Sequence, residues 1–431
     1  MKKLAFILMG CLFAAFAFGQ NNTATTTQTG DDNQSNVKQT GDKNYSWVYQ
    51  FKTDNVCGTN SNSSYVRQTG DKNYSYVKQN ASEWNSGMNS TVTQDGNKNY
   101  SYVNMMHHGV HQSTVDQDGN KNKAYAIHER NVNTTYIKQK GNKNYGWAHV
   151  WANKSSARIE QRGNRNYAYA NVGVSGYATL GQNNEFKAYQ KGNDNTSVQK
   201  MYGTDWTLSV ANDNKGDVKQ VGNNNYAYQK ITYLTSEHTI GNETKAYQFG
   251  NANYAYSYQQ GQYNKAGQYQ KGNLNTSRIT QIGHNNDIVG TSFPCNLNPT
   301  YNHTYLQYQW GKNNYQYAWI NGEDNKTAQY QKADALNKGN NQERLWIDGD
   351  DNEVVQSQIG RYNYSWIDID GDDNHAVTFQ NGICGAVNMN RAYIDIDGNL
   401  NNAGIKQQGP GNYGKIIQNG SNGTACIDQK P

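Results

Sequence analysis

The sequence predicts an all-β protein, a flat two-sided β-solenoid of about fifteen rungs made of strand–turn–strand repeats. Only 35% of the 431 residues are hydrophobic and the mean hydropathy is −1.01, too little for the core of a helical bundle or an α/β enzyme. The motif Gln-x-Gly-x-x-Asn recurs along the chain, and the segments after it alternate with a period of two.

The spacing of the motif defines the rungs. Twenty Gly-x-x-Asn centres lie between Gly30 and Gly409, and neighbouring centres are either 11 or 22 to 30 residues apart. Eleven residues accommodate a strand of about five or six residues and a tight turn, so two steps make one rung. The alternative, a disordered Asn/Gln-rich segment, does not account for spacing that stays in phase with an alternating pattern.

The residues after each motif Asn predict which side chains face inward. From Asn73 to Gln79, Asn, Ser, Val and Gln share one face, and Tyr and Lys share the other. Because the two sheets lie close, we expect the smaller face inside, Gly in the turns, and Gln and Asn amides in hydrogen-bonded ladders. The predicted ladder residues are Gln39, Gly41, Asn44, Gln50, Gln68, Gly70, Asn73, Gln79, Gln94, Gly96, Asn99, Gln117, Gly119, Asn122, Gln139, Gly141, Asn144, Gln161, Gly163 and Asn166.

Tyrosines dominate the opposite, outward face. Stacked at rung spacing, they predict an aromatic ladder, and its first members are Tyr45, Tyr74, Tyr100, Tyr145 and Tyr167. Two interpretations stay open: favourable packing of residues with high β-propensity, or an adhesive face for fibres or sugars.

From about Gln28 to Asn412, the motif is followed by an alternating strand and then Gln, as from Asn44 to Gln50. This pattern resembles the curlin repeat of curli subunits. The resemblance implies export through an outer-membrane pore, nucleated assembly and amyloid fibres in a biofilm matrix. The chain departs from the family where Asn33, Asn62 and Met88 replace the usual Ser. It departs again in later rungs that carry Ile instead of Gln, namely Ile347, Ile369 and Ile396.

Four segments are predicted along the chain. Residues 1–19 are typical of a signal peptide, with Lys2-Lys3, an apolar run and a small-residue end at Gly19. A lipobox ending at Cys11 is the alternative. A short polar segment (20–27), the repeat solenoid with inserted loops (28–412) and a C-terminal tail (413–431) follow, and no later segment is apolar enough to span a bilayer. We therefore expect a secreted, extracellular protein in a cell-surface fibre.

Charge is unevenly distributed. The formal net charge is +5, but residues 337–402 contain eleven acidic and four basic side chains, which favours head-to-tail order of basic early and acidic late rungs. Clustered oxygens at Asp348, Asp350, Asp370 and Asp372 resemble a calcium-binding turn, and a solvated acidic edge is the alternative. We expect no other cofactor and no metal at His107, His108 and His111, which are typical of an exposed loop.

Four cysteines follow the apolar run. Assigning half-turns places Cys384 and Cys426 within about two rungs, which predicts a disulfide between them. Cys57 and Cys295 are many rungs apart and are not expected to pair.

These features predict a structural protein rather than an enzyme. We expect a subunit of a curli-like fibre that associates with itself by stacking rungs edge to edge, with an export pore and a nucleator as partners implied by the resemblance. The alternative is a non-polymerising adhesin that binds glycans or other cells through its exposed Tyr and Trp ladders. No basic run is dense enough to predict nucleic-acid binding.

Overall fold

The computed structural model divides into two compact units, one up to Val150 and one from Trp151. The predicted signal peptide, Cys57, Cys295 and Cys384 lie outside the described residues. The structure describes residues 21–30, 32–52, 61–81, 87–106, 109–173, 182–202, 211–232, 239–288, 307–333, 338–382 and 389–430.

In the first unit, successive strands alternate between two parallel sheets. The first sheet contains β1 (Thr23–Thr29), β3 (Tyr45–Lys52), β5 (Tyr74–Ala81), β7 (Tyr100–Met106), β9 (Lys123–His128) and β11 (Tyr145–Val150). The second contains β2 (Gln34–Thr40), β4 (Ser63–Thr69), β6 (Gly87–Asp95), β8 (Val110–Asp118) and β10 (Thr134–Lys140).

The second unit repeats this arrangement with more strands. Its second sheet begins with β12 (Ser156–Arg162), β14 (Glu185–Lys191), β17 (Lys215–Val221), β20 (Glu243–Phe249), β22 (Lys265–Asn273) and β25 (Gln307–Lys312), and continues with β27 (Lys326–Lys332), β29 (Glu353–Ile359), β31 (His375–Asn381), β33 (Asn402–Gln408) and β35 (Thr424–Gln429). The first-sheet strands are β13 (Tyr167–Val172), β15 (Thr196–Met201), β18 (Tyr226–Thr232), β21 (Tyr254–Gln262), β23 (Thr276–His284), β26 (Tyr315–Asn321), β28 (Gln342–Asp348), β30 (Tyr364–Asp370), β32 (Arg391–Asp397) and β34 (Tyr413–Asn419). Short strands are β16 (Ala211–Asn212), β19 (Thr239–Ile240) and β24 (Asp287–Ile288).

Strand pairing keeps the repeat in register. Tyr45 pairs with Tyr74 and Tyr74 with Tyr100, so equivalent motif positions stack along each sheet. The predicted all-β, two-sided β-solenoid is confirmed. Among the described residues, the first sheet has six strands in the first unit and ten strands in the second. The sequence predicts about fifteen rungs.

Burial alternates along the strands as the pattern predicts. Ser75, Val77 and Gln79 of β5 are fully buried, whereas Tyr76 and Lys78 between them are half-buried. Late in the second unit the interior changes from amides to aliphatic side chains, because Ile320, Ile347, Ile369 and Ile396 stack in a hydrophobic cluster.

The stack of strands extends beyond the predicted repeat bounds of 28–412. Thr23–Thr29, mostly within the predicted polar segment, pairs with β3, and the predicted C-terminal tail contains β34 and β35. Among the residues described, no helix has the length and apolarity that crossing a membrane requires.

Candidate functional site

The turns between strands depend on glycine. Gly70 has a φ of +97°, and a Cβ there would overlap the carbonyl oxygen of Gly96 in the next coil. Two residues later, Lys72 occupies the left-handed region with a φ of 59°. Any side chain at Gly70 therefore meets both backbone strain and a backbone clash.

The motif asparagines connect successive turns. Asn73 is fully buried, and its Nδ2 donates to the carbonyl oxygen of Gly96 at 2.7 Å. Its Oδ1 accepts the backbone N–H of Asn99 at 3.0 Å, and its own N–H donates to Oδ1 of Asn44. Asn122 and Asn144 take the same positions, as does Asn166 in the second unit. Both polar atoms of the buried Asn73 side chain are thereby satisfied by neighbouring coils.

The motif glutamines form a directional ladder. In the first unit each Nε2 donates to Oε1 of the next Gln at 2.7–2.8 Å, through Gln39, Gln68, Gln94, Gln117 and Gln139. The second proton of the amide crosses to the opposite sheet, as where Gln94 donates to the carbonyl oxygen of Tyr74 at 3.0 Å. The ladder therefore joins neighbouring coils and also holds the two sheets together. Gln161 begins the corresponding ladder of the second unit by donating to Gln190.

A second column of glutamines runs along the first sheet. Gln28 donates to Gln50 and Gln50 donates to Gln79, both at 2.7 Å. Met105 and His128 then follow in the same column, where an amide no longer continues the ladder.

The prediction that His111 lies in an exposed loop is wrong, because strand register places its side chain fully buried in β8; His107 and His108 lie outside the described residues. The burial of His128 in β9 was not predicted either, because its position is set by strand register rather than by the motif.

The outward tyrosines of the first unit stack closely. The ring centroids of Tyr45 and Tyr74 are 5.0 Å apart, as are those of Tyr74 and Tyr100, with interplanar angles of 10° and 2°. Lys123 occupies the next position of this column, and Tyr125 of the neighbouring column contacts Tyr100 and Tyr145 instead. Burial, and then the adjacent Tyr45, raise the pKa of Tyr74.

The second unit carries further aromatic stacks. Tyr167 begins its first sheet and is 38% exposed. On the second sheet Tyr269, Tyr308 and Tyr330 stack at 5.0 and 4.9 Å, although none of them follows a motif Asn. The recurring Gln-Tyr-Gln tripeptide at these positions could have predicted this stack. Its two glutamines occupy inward positions, so the tyrosine between them faces outward.

The acidic turns use their carboxylates within the protein. Oδ1 of Asp350 accepts the backbone N–H of Glu323 at 2.7 Å, and Oδ1 of Asp372 accepts that of Asp350 at 2.8 Å. Oδ1 of Asp348 accepts a hydrogen bond from Asn321, and Asp370 ends the next strand of this sheet, β30. Within the described ranges, no three His, Cys, Asp or Glu side chains are grouped to hold a metal ion.

Among the cysteines, Cys426 of β35 is disulfide-bonded. The predicted partner, Cys384, lies outside the described residues, so the pairing stays a prediction.

Comparison with known families places one match at the start of the repeat. A family model described as the curlin associated repeat matches residues 19–51, a stretch that includes β1, β2 and most of β3. The predicted resemblance to the curlin repeat is thereby confirmed. A search of the curated proteins finds no match.

Proposed function

We propose that this chain, with a curlin repeat in its first coils, is a secreted structural subunit of an extracellular curli-like amyloid fibre in a biofilm matrix, where it contributes to adhesion. The role is structural and involves no catalysis. A curli-type export pore and a nucleator are its proposed partners. The observation that carries the proposal is the complementarity of the outermost strands.

The outermost strands of the first unit present hydrogen-bond acceptors. β1 is exposed along its whole length, including Gln28. The side-chain amides of Gln28 and Gln39 donate to the following coil. Their own Oε1 atoms accept no amide hydrogen bond from any residue that the structure describes. The backbone groups of an exposed edge strand favour addition of another strand.

The outermost strands of the second unit present the matching donors. Gln429 accepts from Gln407 at 2.9 Å, and its Nε2 reaches only the carbonyl oxygen of Tyr413 among the described residues. On the first sheet, Gln418 pairs with Ile396, so the column of isoleucines is followed by a side-chain amide. Gln418 and Gln429 thus occupy, in the second unit, the inward strand positions that Gln28 and Gln39 occupy in the first.

These two surfaces fit a head-to-tail contact between copies. Gln418 and Gln429 of one chain would donate to Gln28 and Gln39 of the next, so that both ladders continue in the same direction. Such a heterologous contact does not close and generates a filament. The uneven charge along the chain favours the same order.

A charge at the end of the ladder tests this proposal. Gln429→Lys places an ammonium in the column, whereas Thr424→Lys places the same charge on the exposed outward face of the same strand. We expect seeded elongation, followed by thioflavin fluorescence, to fall more than about tenfold for Gln429→Lys and to change little for Thr424→Lys. Equal elongation of both variants would exclude this end contact.

A groove on the first sheet favours adhesion as a second candidate function. It has a volume of about 360 Å³ and is lined by Tyr317, Trp346, Trp366, Arg344 and Asp368 among others. Aromatic faces beside charged hydrogen-bonding groups suit sugar rings. A β-rich chain that never polymerises, but binds a glycan column unless Trp346 and Trp366 are replaced by Ala, would favour the adhesin.

A further inference from the structure

The groove on the first sheet of the second unit combines aromatic rings with a carboxylate. Trp346 of β28 and Trp366 of β30 line it together with Asp368. Trp346 pairs with Asp368 along the sheet, so the indole and the carboxylate belong to adjacent coils, about 4.8 Å apart along the stack. A ligand in the groove therefore meets an aromatic surface and a negative charge together.

The indole of Trp346 is stacked and yet accessible. The ring centroids of Trp319 and Trp346 are 3.9 Å apart, with an interplanar angle of 24°, but Trp346 is still 42% exposed. Trp366 is half-buried and meets the ring of Tyr393 edge to face at 5.3 Å. The groove thus has an apolar wall of two indoles, whose faces carry partial negative charge.

The carboxylates beside the indoles lack a compensating cation. Asp395 follows Asp368 in the same column, and Asp370 lies two residues after Asp368 on the same outward face. Burial, and then Asp395 and Asp370, raise the pKa of Asp368, and no cation among the described residues lowers it. The half-buried Asp368 is therefore a site where a positively charged group on a ligand would relieve repulsion within the protein.

Arg344 also lines the groove, but its guanidinium lies on the side away from Asp368. Arg344 pairs with Tyr317 and with Trp366 along the sheet. Its guanidinium carbon lies 6.0 Å from the ring centroid of Tyr315, which precedes Tyr317 by two residues, whereas Asp368 follows Trp366 by two residues. Arg344 is thus placed to donate to neutral oxygens of a ligand and not to neutralise Asp368.

We propose that this groove binds a glycan of amino sugars whose amines are free, an inference that rests on the adhesive function proposed for the same groove. The apolar face of a pyranose packs on the indoles, and its protonated amine lies beside Trp346 and Asp368. Aromatic faces and carboxylates both attract a cation, so the two kinds of group act in the same sense. A neutral sugar would leave Asp368 without a counter-charge, and an acidic sugar would be repelled. The acidic excess of residues 337–402 attracts the same cationic polymer.

Matched oligosaccharides test this inference. The chain from Gln20 to Pro431 is immobilised on a sensor surface, and oligomers of glucosamine and of N-acetylglucosamine of equal length are applied at slightly acidic pH, where the free amines are protonated. We expect the glucosamine oligomer to bind at least about tenfold more tightly, as one additional hydrogen bond between charged groups provides. Equal affinities would overturn recognition of the amine and leave the groove as a glycan site. Binding of neither oligomer would overturn glycan binding itself.

Two substitutions that remove the same charge locate the amine. Asp368→Asn changes the carboxylate in the groove, whereas Asp373→Asn changes one in an exposed turn, at a positive φ that Asn tolerates. We expect the affinity for the glucosamine oligomer to fall more than about tenfold only in Asp368→Asn, with the affinity for the N-acetylglucosamine oligomer unchanged in both variants. An equal loss in the two variants would show attraction to net charge and overturn the site. Asparagine has the shape of aspartate and lessens the repulsion at Asp368, so the variant suits the fold.

A lysine oligomer with the same number of amines separates the sugar from the charge. It is expected to bind more weakly than the glucosamine oligomer, because it offers no pyranose face to Trp346 and Trp366. Equally tight binding of the lysine oligomer would overturn the assignment of the ligand as a glycan. None of these outcomes depends on whether the chain forms fibres, because the chain is immobilised.

Discussion

Replacing one ladder glutamine with leucine should destabilise the coil around it. Gln94 is fully buried, accepts from Gln68 at 2.8 Å, and donates to Gln117 at 2.8 Å and to the carbonyl oxygen of Tyr74 at 3.0 Å. Gln94→Leu removes these three bonds and leaves three buried partner groups short of a hydrogen bond, at a combined cost of about 5 kcal/mol. Burial of the leucine side chain returns about 2 kcal/mol, so the net loss is about 3 kcal/mol.

Native-state hydrogen exchange measures this loss within the coil, and it does not require a two-state transition of the whole chain. A loss of about 3 kcal/mol corresponds to roughly a hundredfold faster exchange of amides in β6 and β8. Thr93→Leu is the control, because Thr93 is the residue before Gln94 and its side chain lies on the outward face of β6. Exchange in Gln94→Leu within about threefold of the control would refute the role given to the ladder.

Three further predictions concern the turns, the buried acid and the cysteines. Hydrogen exchange is expected to show that Gly70→Ala destabilises its coil more than Gly420→Ala does. Both glycines have a positive φ, but the added Cβ overlaps backbone atoms at Gly70 and meets nothing within 4 Å at Gly420. Equal losses of stability in the two variants would exclude the backbone clash as a cause. Burial raises the pKa of Glu343 well above its usual range, and its Oε1 has no partner among the described residues. The folded state thus holds a proton that the unfolded state releases, so the free energy of unfolding falls as pH rises above the ordinary carboxyl range. In chemical denaturation, Glu343→Gln should remove this fall and raise the free energy of unfolding by about 1–3 kcal/mol at high pH. The same pH profile in the variant and the wild-type protein would contradict this prediction. Peptide mapping of the unreduced chain is expected to yield a Cys384–Cys426 peptide, and a different partner for Cys426 would contradict the rung assignment.

The repeated parts of the fold could be predicted because their chemistry is tied to fixed positions. Gly70 needs a positive φ and close backbone approach, and Asn73 needs carbonyl and N–H partners in neighbouring coils. A residue that must satisfy such conditions recurs at constant spacing. The period of two then determines which face of each strand is buried.

Other features depend on strand register, which insertions between motifs hide. Met88 and His111 become neighbours only when the coils are aligned, and inner columns accept amides, thioethers and aliphatic side chains alike. The final coil escaped prediction because Gly423 stands where the motif requires Asn, although its N–H still donates to Oδ1 of Asn401. The aromatic stack at Tyr269 escaped because it follows no motif Asn.

Seeded polymerisation of the chain from Gln20 to Pro431 tests the central claim most directly. The chain is unfolded in denaturant and rapidly desalted, and then followed by thioflavin fluorescence and negative-stain microscopy with and without preformed seeds. A subunit that stacks head to tail should form unbranched fibres after a lag that seeds abolish. A soluble, β-rich protein that remains monomeric with seeds present would contradict the fibre assignment and favour the adhesin.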